Sequence, residues 1–341
     1  MIKNVSIRNF KSIKELDFKA KRVNVFIGEP NTGKSNILEA LGMFSLFYIE
    51  NPDELPIRYQ DASNLFYDND VLNLQPSVNA DHHSWAISYN DENDRVILRA
   101  EDAKSTPDQS HVFGFDLRKK EKTEINHQLA TLTGTSVSSS LPTIKYYQFK
   151  TLKEYNSPGN SLRPPYGKNL FDVLLTNKKL RTAVSELFTE QGYRLGLRHK
   201  GRDIEATKIV DDLLYAYPYQ TISDTLQRIV FYYSVIETNK NATILLEEPE
   251  SHMSARYIRD IAERIALDTD NQYFLVTHNP YFLSTIAEKT KPKDLAIFVT
   301  NLDNYQTQLT QLTPDHITDL LDLDAAVFLN LDKLTSLESV H

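Results

Sequence analysis

An eight-residue run, Gly28-Glu29-Pro30-Asn31-Thr32-Gly33-Lys34-Ser35, leaves this chain few folds to choose from. It matches the spacing G-x-x-x-x-G-K-S/T at every position. The glycines free the backbone to aim N–H groups at phosphate oxygens. Arg22-Val-Asn-Val-Phe-Ile27, apolar and β-branched, reads as a strand that stops at Gly28. Ile37, Leu38, Ala40, Leu41 and Phe44 follow at helical spacing, so a helix opens at the loop and runs to about Tyr48. Its positive end adds to the attraction for an anion. Strand, glycine loop and helix in that order predict a nucleoside triphosphate site, for ATP with Mg²⁺. Gly28, Asn31, Thr32, Gly33, Lys34, Ser35 and Asn36 are the phosphate-binding candidates. Lys34 is expected on the β- and γ-phosphates and Ser35 on the metal.

Two further runs supply carboxylates and a histidine. Ala242-Thr-Ile-Leu-Leu-Glu-Glu248 is almost continuously apolar before its glutamates, as expected of a central parallel strand. Carboxylates at the end of a buried strand need a cation or a polarised water. Glu247 is the expected Mg²⁺ ligand, directly or through water. Glu248 faces the other way, since strand side chains alternate, and is the expected base for the attacking water. Gln272-Tyr-Phe-Leu-Val-Thr277 reads as a second buried strand that delivers His278 to its end, within reach of the γ-phosphate or that water. Lys34, Glu248 and His278 form the predicted catalytic set. His252 lies just past the glutamates, with a subunit interface or a helix cap as its two readings.

Ala296-Ile-Phe-Val299 is a third buried strand, and helical patterns at Thr221–Ile236 and Arg256–Ala266 separate the strands. That alternation predicts an α/β core. Residues 53–155 read as a β-rich insertion, with strands at Trp85–Tyr89, Val96–Leu98, Phe113–Leu117 and Ile144–Phe149 and a loop at 130–143. Residues 156–230 read as a mainly helical lobe, with a helix over Leu170–Phe188 and a hairpin of Tyr193–Leu197 and Asp203–Ala206. Residues 231–341 are the second half of the core, and 1–341 form one head.

With 40% hydrophobic and 25% charged residues, a folded chain is expected. The absence of cysteine excludes disulfides, zinc–thiolate sites and cysteine nucleophiles. The net charge of −8 gives no support to broad nucleic-acid binding. Arg118-Lys119-Lys120 and Lys122 make a local basic run whose plainer reading is a solvated turn. No window approaches the length of an apolar membrane span, and no signal-peptide pattern opens the chain, so a cytoplasmic protein is expected.

Ile7-Arg-Asn-Phe-Lys-Ser12, Gly28–Ser35, Leu246-Glu-Glu-Pro-Glu-Ser-His252 and Thr277-His-Asn-Pro280 together resemble the ATP-binding-cassette-type ATPases of the RecF, Rad50, SMC and OLD class. The resemblance spans nearly the whole chain. It is strongest to compact AAA-family ATPases with an ABC-like head, several of which look like parts of bacterial defence modules. It implies a P-loop NTPase fold in which two heads sandwich two ATP molecules. A serine-containing signature on one head then touches the γ-phosphate on the other. Ile222-Ser-Asp-Thr-Leu-Gln-Arg228 matches best, which makes Ser223 that residue. Asp224 and Thr225 stand where the family usually has glycine, and Glu247 where it commonly has aspartate; both departures point to slow turnover. Gln60 and Gln148 are the candidates for the family's Q-loop glutamine, Gln60 the better by position.

No sustained heptad run crosses 156–230, which argues against a long coiled coil. The stretch after Val299 is too short for a fused TOPRIM nuclease. The resemblance thereby implies slow ATP hydrolysis coupled to homodimer closure. The partner would be a separate effector, a nuclease among the candidates, in DNA repair or anti-phage defence, with DNA a further candidate partner. A nucleotide-gated scaffold with little turnover is the alternative, and a transporter ATPase is more remote.

Overall fold

The computed structural model describes residues 1–49, 54–90, 95–102, 111–116, 143–323, 327–328 and 330–331. The basic run at 118–122 and all but the last residue of the loop read at 130–143 lie outside them. β1 (Asn4–Phe10) and β2 (Ile13–Lys19) pair antiparallel. β3 (Val23–Gly28) is buried along its whole length and ends in the glycine loop, and α1 (Lys34–Gly42) leaves that loop. The single helix expected to Tyr48 is α1 followed by a tighter 3₁₀ segment, Met43–Tyr48.

β4 (Ser77–Ala80), β5 (His83–Asn90), β6 (Arg95–Asp102) and β7 (His111–Asp116) extend the opening pair into a sheet of order β2-β1-β4-β5-β6-β7. These insertion strands continue the first hairpin because β4 pairs antiparallel along β1. Trp85 ties the sheet to α1: its buried Nε1–H donates to Ala40 O at 3.0 Å.

β8 (Ile144–Tyr147) departs from the expected grouping. It pairs in parallel with β12 (Thr243–Glu247) rather than with β4–β7. All four of its residues are buried, as suits a covered parallel strand. With β13 (Gln272–Val276), β14 (Leu295–Asp303) and β15 (Gln306–Gln311) the central sheet has the order β15-β14-β3-β13-β12-β8. Its pairs are parallel except β14 with β15. The β15 strand was missed because Gln306-Thr-Gln-Leu-Thr-Gln311 carries little apolar signal.

The helix expected over Leu170–Phe188 is two, α2 (Leu170–Thr176) and α3 (Lys178–Glu190). Asn177 divides them, because its side-chain oxygen accepts the Leu180 N–H at 3.0 Å and starts a new helix. β9 (Arg194–Arg198) and β10 (Asp203–Val210) form the expected hairpin, and an unforeseen β11 (Leu213–Pro218) adds a third strand. Next come α4 (Asp224–Thr238), α5 (Ala255–Leu267), α6 (Pro280–Lys289) and α7 (Pro314–Leu323).

Alternate residues of the parallel strands enter two cores. Val23, Val25 and Ile27 face the one built with α4, α5 and α6, whereas Phe26 faces the one built with α1, β1 and β2. Both faces of the sheet are covered, so its accessible chemistry lies at the strand ends. Among the described residues no helix is long and apolar enough to cross a membrane.

Candidate nucleotide site

The parallel strands β3, β12 and β13 end on one rim of the sheet and bring the glycine loop, Glu247 and His278 together there. Gly28 and Gly33 have φ of 149° and 93°. A Cβ on Gly28 would sit 2.3 Å from Thr300 O, and one on Gly33 would sit 2.0 Å from Thr307 Oγ1. The loop therefore needs both glycines to pass under the β14–β15 hairpin as well as to bend. Asn31 is also left-handed, at φ 63°. Thr32 is committed to the loop's own structure, with its Oγ1 2.8 Å from Glu29 O and 2.6 Å from Thr300 Oγ1.

Lys34 is buried and donates to Gly28 O at 2.9 Å and Glu29 O at 2.6 Å. Burial lowers its pKa to about 8 against the opposing pull of Glu29, Glu248 and Glu247. A polyphosphate beside it favours the charged form again. Asn36 donates its side-chain N–H to Ser12 Oγ at 2.7 Å, and Ser12 Oγ lies 2.7 Å from Thr307 Oγ1. The Asn36 side chain is thus bound to the opening hairpin. At the first turn of a helix such as α1 the backbone N–H groups have no intrahelical partner.

Glu39, on α1, is fully buried and paired with Lys11 and, at 2.7 Å, with Arg58. Sequence reading missed this knot; the lysine of Ile7–Ser12 was its only visible signal.

Both oxygens of Glu247 are held. Ser35 Oγ donates to Oε1, and the Tyr146 hydroxyl donates to Oε2 at 3.0 Å. Burial, then the neighbouring carboxylates, raise the Tyr146 pKa, so the phenol keeps the proton it donates. Tyr146 was not foreseen as a site residue, because only the pairing of β8 with β12 brings it there.

Glu248 corrects one expectation. It does not continue β12 on the opposite face, because the strand ends at Glu247 and Glu248 takes φ 44°. Its N–H still reaches Val276 O at 2.9 Å, and the left-handed turn swings the carboxylate toward β13. There His278 Nε2 lies 3.9 Å from Glu248 Oε1, and Ser251 Oγ lies 3.1 Å from Oε2. Burial and then Lys34 lower the His278 pKa, which keeps the imidazole neutral near pH 7.

Behind this pair sits Glu250, 4% exposed. Thr277 Oγ1 donates to its Oε1, while its buried Oε2 has no hydrogen-bond partner. Burial raises its pKa from 4.5 to about 7, partly offset by the Thr277 bond. The native state then binds more protons than the unfolded chain between those two values, so stability falls as pH rises through that window. The penalty is complete above pH about 7 and reaches roughly 3 kcal/mol. Glu250→Gln keeps the Thr277 acceptor without the charge. It should raise the melting temperature at pH 8.5, with the gain shrinking as pH falls toward 4.5. A melting-temperature difference that does not change with pH would contradict this.

Ser223 is the exposed N-cap of α4 and makes no side-chain capping bond. Its carbonyl accepts the helix's own Gln227 N–H at 3.1 Å. Asp224 is paired with Arg228 at 2.6 Å, and Thr225 Oγ1 donates to His252 O at 3.0 Å. His252 itself is left-handed, at φ 62°.

Gln60 is exposed, in a turn where its N–H meets Asn64 Oδ1 at 3.1 Å. Gln148 lies just past the end of β8. It is exposed, one residue past the last paired position, Tyr147 with Leu246, and its N–H donates to Pro165 O at 3.0 Å.

Among the described residues no group of three or more His, Cys, Asp or Glu side chains could hold a metal ion. The Ser35–Glu247 pair is a hydroxyl with a carboxylate. It fits Mg²⁺, which takes one or two protein oxygens and fills its shell with phosphates and water.

A family model described as "AAA ATPase domain" matches residues 1–185, more than half of the 341. A protein of Helicobacter pylori described as "ATP/GTP phosphatase" is 22% identical over 363 positions, covering 92% of this chain and 93% of that one. The solved structure of an "SmcHead bound to the C-winged helix domain of ScpA" superposes with a TM-score of 0.51 at 15% identity. It covers 93% of this chain and 99% of that one, and shows a shared fold. The chain belongs to the AAA ATPase domain family and has the α/β P-loop fold of an ABC-type head.

Proposed function

We propose that this chain is a slow, Mg²⁺-dependent ATPase and that two copies close head to head around two ATP molecules. The observation that carries it is the meeting of Lys34, Ser35, Glu247, Glu248 and His278 at one rim, from loop and strands far apart in sequence. The H. pylori relative's description supports triphosphate hydrolysis. Lys34 holds the β- and γ-phosphates. Ser35 and Glu247 would hold Mg²⁺, which supplies charge neutralisation when bound. Glu248 accepts the proton of the attacking water, and neutral His278 donates a hydrogen bond without adding charge beside Lys34.

Closure supplies what one copy lacks, a cover for the γ-phosphate. The exposed start of α4 offers the Ser223 hydroxyl and helix N–H groups to a partner's phosphate. The Arg228 pairing answers the negative charge of Asp224 at that position. Phe149, two residues past β8, packs 4.6 Å under the Arg228 guanidinium and 5.8 Å from Phe231 of α4.

Solution mass tests the proposal. Glu248→Gln should double its mass with Mg²⁺–ATP, and adding Ser223→Arg should return it to one copy. An unchanged mass with ATP contradicts closure, and doubling that survives the arginine removes Ser223 from the interface. Control of a separate effector, a nuclease or other DNA-directed protein, extends the proposal by resemblance. Recovery of the chain from its native cell free of partner and DNA weighs against it. The scaffold reading is favoured by Asp224 and Thr225 in place of glycine and is separated by the turnover measurement below.

A further inference from the structure

We propose that Tyr305 is the stacking platform for the purine base of the bound nucleotide. The inference rests on the reading that the glycine loop holds a nucleoside triphosphate.

The sheet fixes which way such a molecule lies. In the order β15-β14-β3-β13-β12-β8, Glu247, Glu248 and His278 follow β12 and β13, on one side of β3. They mark the γ-phosphate end. A triphosphate lying across the strand ends then has its nucleoside on the other side of β3, where β14 and β15 stand.

Those two strands form a hairpin that overruns the loop. Thr300 is in register with Gly28, and the pairing of β14 with β15 continues beyond it to Asp303 and Gln306. The root of the hairpin is fastened to the loop. Thr300 meets Thr32 at 2.6 Å, and Thr307 donates its N–H to Ser12 O at 3.0 Å and lies against Gly33. Ser12 in turn holds Asn36, at the residue following the metal-site serine.

The tip is the two-residue turn Asn304-Tyr305, with φ of 45° and 63°. Turns of this type favour glycine or asparagine at both positions, because left-handed backbone crowds a Cβ. A tyrosine in the second position is locally unfavourable, and it buries nothing: Tyr305 is 86% exposed, and no described large hydrophobic side chain is more so. An aromatic ring held at the nucleoside end, by a hairpin bolted to the phosphate loop, has the position a base needs. Stacking uses the face of the base and not its hydrogen-bonding edge, so the platform takes adenine and guanine alike.

Affinity should be measured by calorimetry with Mg²⁺ and two probes, a slowly hydrolysed ATP analogue and inorganic tripolyphosphate. Tyr305→Ala should weaken the ATP analogue about 5- to 100-fold. Tripolyphosphate, which has no base, should bind the variant as it binds wild type, and Tyr305→Trp should restore the analogue. Undiminished affinity of Tyr305→Ala for the analogue overturns the proposal. Equal weakening of both probes also overturns it, since the effect would then act through the loop. Wild type that binds neither probe would overturn the phosphate reading itself, and with it this platform.

Discussion

Glu248→Gln should slow phosphate release about 10²–10⁴-fold while Mg²⁺–ATP stays bound. The carboxylate is about half exposed and lies 3.9 Å from His278 Nε2, so it faces the rim where water reaches the nucleotide. Glutamine keeps the shape and the contact from Ser251 Oγ but cannot take a proton. Glu247 is poorly suited to replace it, because Ser35 and Tyr146 already hold both its oxygens. Phosphate release at saturating ATP reads the effect. A variant that turns over at the wild-type rate would place the base elsewhere, with His278 the next candidate. Wild type that releases no phosphate while binding ATP would favour the scaffold.

Lys34→Ala should lower ATP affinity by at least about 100-fold. Two charge-assisted hydrogen bonds to phosphate are at stake, each worth roughly 1.5–3 kcal/mol. The rest of Gly28–Ser35 offers no other cation. The fold should survive, because burial already opposes the charge on Lys34, and its loss leaves the carbonyls of Gly28 and Glu29 and, at 3.5 Å, Thr32 Oγ1 without that donor. Bound nucleotide raises the melting temperature of whatever it binds. Wild type should show that rise with Mg²⁺–ATP, and Lys34→Ala should melt at the same temperature with or without it.

The parts of the site that could be read in the sequence are those whose chemistry is local. Gly28–Ser35 carries its own turn, cation and helix start, and Ile244–Glu248 carries its own burial signal. What escaped depends on pairing across the chain. Ile144–Tyr147 was visible as a strand, but nothing in it says that its neighbour is β12, 99 residues on, so Tyr146 could not be placed against Glu247. Glu250 was read only as part of an acidic string. Its burial comes from Thr277 and the end of another strand. The break at Asn177 was missed because the apolar period runs through it, although asparagine is a good N-cap. The β14–β15 hairpin lacked an apolar pattern in its second strand, which hid the residues that lie over Gly28 and Gly33.

The most direct test of the account is a calorimetric titration of the wild-type chain with a slowly hydrolysed ATP analogue and Mg²⁺. The account predicts saturable binding of one nucleotide per chain, lost in Lys34→Ala. Absence of saturable binding, or equal affinity in the two proteins, would contradict it.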